Sequence, residues 1–255
     1  MKFSGLKMAV LALSCSAGLC VAAESEGAVA TASGAQPILA ATTSTTVLGV
    51  REYAIAKVAA YTAQGKTAEL KTALEQALDQ GMTVNELKSE LEQLYAYCGF
   101  PRSLTALGVL MGIVDERQKQ GIAVNMGPEP TPVPADANMR ELGTKVQTEI
   151  CGGPVAGPLF DFSPNIDSYL KEHLFGDIFA QDVLSFKDRE IATIAALASL
   201  PAPAQLNSHY GISHNVGWTY EQLQDFATFM GKEIGAAEGK VAQEVLDQVV
   251  AAAKK

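Results

Sequence analysis

The stretch from Arg51 to about Leu107 is written a second time 136 to 138 positions later, and this repetition constrains the fold more than any other feature. Arg51-Glu52, Ala68-Glu69-Leu70, Gly81-Met82-Thr83, Glu86-Leu87 and Gly99 return as Arg189-Glu190, Ala204-Gln205-Leu206, Gly217-Trp218-Thr219, Gln222-Leu223 and Gly235. The offset shrinks by two only where Gly65 faces Pro201 and Pro203, so the length change falls in a turn. Two copies of one helical unit are the expectation. Where the first copy has Ala73, the second has His209.

Within the first copy the apolar residues keep helical spacing: Ala54, Ile55, Val58 and Ala59, then Leu70, Ala73, Leu74, Ala77 and Leu78 up to Gly81. Thr83-Val84-Asn85-Glu86 reads as a capping box, in which hydroxyl and carboxylate satisfy orphan amide groups reciprocally, and Thr219-Tyr220-Glu221-Gln222 repeats it. The helix after Thr83 stops near Gly99, and Pro101 suits the first turn of a fourth helix through Leu104, Leu107 and Leu110. With 48% apolar and only 7% aromatic residues, rich in alanine, close-packed helices are favoured over sheets, and the fold class is all-α. Residues 46–120 form the first repeat. Residues 121–136 contain Gly127-Pro128-Glu129-Pro130-Thr131-Pro132-Val133-Pro134, a non-helical connector that hinges the halves in sequence. Residues 137–255 hold the second repeat behind two connecting helices, Met139 to Ile150 and one opened by Ser163-Pro164.

Residues 1–23 carry Lys2 and Lys7, a short apolar run from Met8 to Leu19, and Val21-Ala22-Ala23, which describes a cleavable export signal rather than a membrane span of about 20 apolar residues. A lipid anchor on Cys15 or Cys20 fits the preceding residues poorly. A periplasmic or secreted protein follows. Residues 24–45 read as a flexible tether. Cleavage would leave 17 basic against 28 acidic residues, a net charge of −11, which argues against a nucleic-acid partner. Cys98 and Cys151 would remain; they read as two thiols, although an oxidising compartment leaves pairing open.

Tyr95-Ala96-Tyr97-Cys98-Gly99-Phe100-Pro101-Arg102-Ser103, Phe175-Gly176-Asp177-Ile178-Phe179, the run from Asp188 to Leu197, and His209 with Asn215-Val216-Gly217-Trp218-Thr219 together resemble the carboxymuconolactone decarboxylase family. The resemblance spans roughly Thr45 to Val250. It implies an all-α, alkylhydroperoxidase D-like unit in tandem, and cyclic assembly, here a homotrimer. It implies no cofactor. A thiol peroxidase of this kind needs a Cys-x-x-Cys pair, whereas the corresponding stretches are Leu70-Lys71-Thr72-Ala73 and Leu206-Asn207-Ser208-His209. The decarboxylase branch carries a His where His209 stands, and a small carboxylate or lactone is the implied partner.

Decarboxylation of a lactone acid must hold a carboxylate, stabilise an enolate oxyanion and protonate carbon. His209 is the proton-transfer candidate, Tyr97 an oxyanion donor, Arg102 the carboxylate grip, and Ser213, one helical turn from His209, a further substrate contact. Glu90 stands one residue beyond Ser89, where the family's decarboxylases carry a glutamate, and that shift turns a side chain by about 100°. Each has a plainer reading: a core or interface histidine, core aromatics at Tyr97 and Phe100, and internal ion pairs in Arg51-Glu52 and Arg189-Glu190. No His-x-x-x-His or Glu-x-x-His pair suggests a metal, since His209 and His214 point about 140° apart. The alternative function is a non-catalytic member that binds a small acid or a protein.

Overall fold

The computed structural model describes residues 47–200 and 202–254, so the expected export signal and the expected tether lie outside the described residues. Every described element is helical. Helices α1 (Val50–Gln64), α2 (Thr67–Asp79), α3 (Val84–Cys98) and α4 (Phe100–Lys119) are followed by α5 (Met139–Cys151), the short α6 (Pro158–Phe162) and α7 (Pro164–Ser168). The chain then continues from Tyr169 to Phe179 in π register. Helices α8 (Phe186–Ala198), α9 (Pro203–Asn215), α10 (Tyr220–Phe229), a π turn over Met230–Ile234, and α11 (Ala236–Ala253) complete it. No described helix is long and apolar enough to cross a membrane.

The boundaries follow local chemistry. At α3 the Thr83 hydroxyl accepts from the Glu86 amide at 3.2 Å and the Glu86 carboxylate accepts from the Thr83 amide at 2.7 Å. Thr219 and Gln222 repeat the exchange at 3.2 and 3.1 Å. Each such cap contributes about 1 kcal/mol. Gly65, at φ 71°, ends α1 in the left-handed region that a side chain would strain.

Helices α1 and α8 form the centre. Ile55, Val58, Ala59, Ala60 and Ala63 face Ile191, Ile194, Ala195 and Ala196, all fully buried. Helices apolar around most of their circumference belong in the middle of a core, and alanines let the two backbones approach. Around them α3 packs on α8 and α10 on α1. Gln93 Nε2 donates to the Arg189 carbonyl and to Thr193 Oγ1, both at 2.9 Å, while the Tyr53 hydroxyl donates to Asp225 Oδ2 at 2.6 Å. A second cluster joins α5 to the π stretch through Val146, Ile150, Leu174, Phe175, Ile178 and Phe179. There Gly143 lets the Lys171 carbonyl sit where any Cβ would stand.

Residues 121–136 are non-helical, but they are docked as a strap. The Val84 and Asn85 amides donate to the Asn125 and Met126 carbonyls at 3.0 and 2.9 Å. Asn85 Nδ2 reaches the Pro128 carbonyl at 3.1 Å, and the Thr131 amide donates to Asp182 Oδ1 at 2.9 Å. These bonds replace the hinge read from the proline pattern.

Candidate functional site

Helices α8 and α9 form an antiparallel hairpin, which returns α9 alongside α8 at 1.5 Å per residue. That return brings His209, in the middle of α9, level with Glu190, near the start of α8. His209 Nδ1 lies 2.9 Å from Glu190 Oε2. The Glu190 side chain is fully buried, whereas His209 keeps 15% of its side chain exposed. Where Glu190 is ionised it can only accept, and then Nδ1–H donates and Nε2 carries the lone pair. Nε2 bonds to no described residue. In that tautomer Nε2 is the nitrogen able to exchange a proton.

Tyr97, from the last turn of α3, closes the other side of the imidazole with ring centroids 5.6 Å apart and planes at 79°. Burial first, and the neighbouring Glu190 charge second, hold its phenol far above its ordinary value. It therefore stays a neutral O–H donor. Its hydroxyl has no hydrogen bond of good geometry among the described residues. Thr193 lies beside it, with its own hydroxyl committed to the Arg189 carbonyl at 2.9 Å.

Arg189, whose charge acts on Tyr97, is fully buried and pulled down to about 10 by that burial. It remains a cation at neutral pH. Its Nη1 donates to Gln93 Oε1 at 3.1 Å, and its Nη2 to Ser89 Oγ at 3.3 Å and the Gln181 carbonyl at 3.1 Å. The guanidinium carbon sits 5.5 Å from the Phe179 ring centroid.

Three of the five sequence candidates gather here. His209 and Tyr97 are in contact, and Ser213, fully buried with an unpartnered hydroxyl, follows one turn later on α9. Glu90 and Arg102 sit elsewhere. Glu90 is fully buried beside Asp188 and Arg51, with neither carboxyl oxygen hydrogen-bonded. Burial, reinforced by Asp188 and opposed by Arg51, raises it well above 4.5. Arg102 lies against Gly65 at the end of α1, its guanidinium carbon 4.0 Å from where a Gly65 Cβ would stand. It makes no hydrogen bond or ion pair to His209, Glu190 or Tyr97 among the described residues.

The internal ion pairs expected for Arg51-Glu52 and Arg189-Glu190 do not form. Arg51 pairs with Glu86 at 2.9 Å and Asp188 at 3.2 Å, while Glu52 accepts from the Gly49 amide at 2.9 Å. Adjacent helical residues point about 100° apart, which sends the two charges to different partners. Glu190 was thereby missed as the partner of His209. The available signal was that only the second copy combines its Glu with a His at the helix-two position. No disulfide joins Cys98 and Cys151. His214 turns away from His209, with Nδ1 3.0 Å from the Trp218 carbonyl oxygen and its ring stacked on Tyr220 at 4.3 Å.

No protein-family model matches the chain, and no curated protein matches it.

Proposed function

We propose that the chain is a lyase that moves a proton at carbon in a small cyclic carboxylate or lactone, with His209 as the proton carrier. The observation carrying this reading is the buried Glu190 bonded to Nδ1 of a partly open imidazole. The carboxylate stabilises the imidazolium formed when Nε2 takes a proton, and so favours both halves of a proton shuttle. The neutral Tyr97 hydroxyl, buried and without a hydrogen bond of good geometry among the described residues, is the donor proposed for the oxyanion that develops as CO₂ leaves. Loss of CO₂ leaves its electron pair on carbon, delocalised into the carbonyl as an enolate, and the His209 proton quenches it.

A tandem duplication within the carboxymuconolactone decarboxylase family is part of this proposal. In its support, α1, α2, α3 and α4 run 15, 13, 15 and 20 residues, while α8, α9, α10 with its π turn, and α11 follow in the same order, α9 with 13 residues and α11 with 18. Export to the periplasm or medium, and assembly as a homotrimer, belong to the same reading. Phe100, Leu104 and Met111 lie exposed on α4, as do Leu159 and Phe162 on α6, apolar surface of the kind subunit contacts cover.

The second reading is a non-catalytic member binding a small acid or a protein. What favours it is that Arg102 lies against Gly65 and makes no bond to His209, Glu190 or Tyr97 among the described residues, so the expected carboxylate grip is not seen beside His209. A thermal-shift screen with cyclic carboxylates and lactones, followed by product analysis for each binder, tests the proposal. Ligands bound without turnover leave the second reading standing.

A further inference from the structure

A pocket of about 320 Å³ opens between α1, α2 and the end of α10, away from the His209 pair. The methyl side chain of Ala73 lines it, at the position where the second copy carries His209. One wall is aromatic: Tyr53 and Phe229 stack with centroids 4.5 Å apart and planes at 22°. Two opposite charges pair with each other on its lining. Lys57 Nζ lies 2.9 Å from Glu233 Oε2 and 5.9 Å from the Phe229 centroid. Gln76, from α2, adds a neutral amide to the lining.

This charge pattern selects among ligand classes. A simple anion would draw Lys57 from Glu233 and leave a carboxylate unpaired, and a simple cation would strand Lys57 in the same way. A neutral ligand would use neither group. A ligand carrying both charges exchanges one ion pair for two and leaves nothing bare.

We propose that this pocket binds a small zwitterion of the α-amino acid class, its carboxylate on Lys57, its ammonium on Glu233, and an apolar or aromatic side chain against Phe229 and Ala73. The volume suits one such molecule. The assignment rests on the pocket's own side chains and needs neither proton chemistry at His209 nor the duplication, so each can fail without the other.

Isothermal titration of the full chain with L-phenylalanine, 3-phenylpropionate and 2-phenylethylamine is the test, because the three share one skeleton and differ only in charge. Saturable one-to-one binding of L-phenylalanine is expected, with Kd on the order of 0.1–1 mM and the two singly charged compounds at least about tenfold weaker. Lys57→Met and Glu233→Gln should each weaken L-phenylalanine about tenfold or more. Ala73→Met, which fills the space from a different helix, should abolish binding, with far-UV circular dichroism showing that each variant is folded. Failure of L-phenylalanine to saturate up to about 10 mM overturns the proposal. Equal binding of all three compounds, or unchanged affinity in the three variants, overturns it as well.

Discussion

His209 Nδ1 sits 2.9 Å from Glu190 Oε2 across the α8–α9 hairpin, and among the described residues this is the only hydrogen bond the buried Glu190 side chain makes, since its second oxygen has no partner there. A carboxylate so placed has little to do except orient and charge-balance the imidazole. Glu52, in the earlier of the two Arg-Glu pairs of the sequence, instead accepts from the Gly49 amide at the start of α1.

Glu190→Gln keeps the shape and removes the charge. Because a glutamine side chain can donate as well as accept, it no longer dictates which His209 nitrogen holds the proton. Nitrogen-15 shifts of His209 should show one dominant tautomer in the wild type and a mixture in the variant. Turnover, once a substrate is identified, should fall roughly 10²-fold or more. A variant with the wild-type tautomer and full turnover would reduce the pair to a packing contact.

Glu90→Gln should stabilise the protein at neutral pH. Burial raises the folded carboxyl well above 4.5, while the unfolded chain releases its proton near that value. Above pH 4.5 the folded state therefore binds more protons than the unfolded state, and stability drains away as pH rises. The melting temperature of the variant should exceed that of the wild type at pH 7, with the gap closing toward pH 4.5. A constant gap across that range would mean that the carboxyl is not held protonated.

Gly127→Ala tests the strap. Gly127 has φ 74°, and a Cβ there would strike Thr83, the N-cap of α3. Strain and the clash together should cost about 1–3 kcal/mol in chemical denaturation, together with faster amide exchange at Val84 and Asn85. Unchanged exchange at those two amides would show that residues 121–136 add nothing to α3.

Much of the helical framework was legible in the sequence because its signals are local. Thr83 and Glu86, Thr219 and Gln222, and the stops at Gly65 and Gly99 all act within a few residues of one another. The Ser185–Asp188 cap escaped because a short Asp stands where the pattern expects Glu or Gln. Nothing in the apolar spacing of Tyr169–Phe179 announces π register, which arises where the stretch packs on α5 through Gly143. Around His209, Tyr97 stands out in the sequence through the resemblance, whereas Glu190 and Arg189 do not. Their partners lie 19 and 96 residues away, and charged side chains at 0% exposure run against the ordinary preference of such residues for the surface.

Cys98→Ser should leave any native activity intact. The Cys98 thiol donates to the Leu94 carbonyl at 3.1 Å within its own helix, and burial raises its ordinary ionisation point, so it is poorly suited to thiolate chemistry. A stability loss within about 1 kcal/mol is expected. Loss of organic-peroxide turnover on this single change would place the chain with the thiol peroxidases instead.

Paired measurement of melting temperature and turnover for the wild type and His209→Ala tests the central claim most directly. Because the change leaves the buried Glu190 carboxylate without its bond, the fold should lose about 3–5 kcal/mol. Turnover should fall roughly 10²- to 10⁴-fold, while binding of the substrate survives. A folded His209→Ala protein that turns over at the wild-type rate would contradict the account.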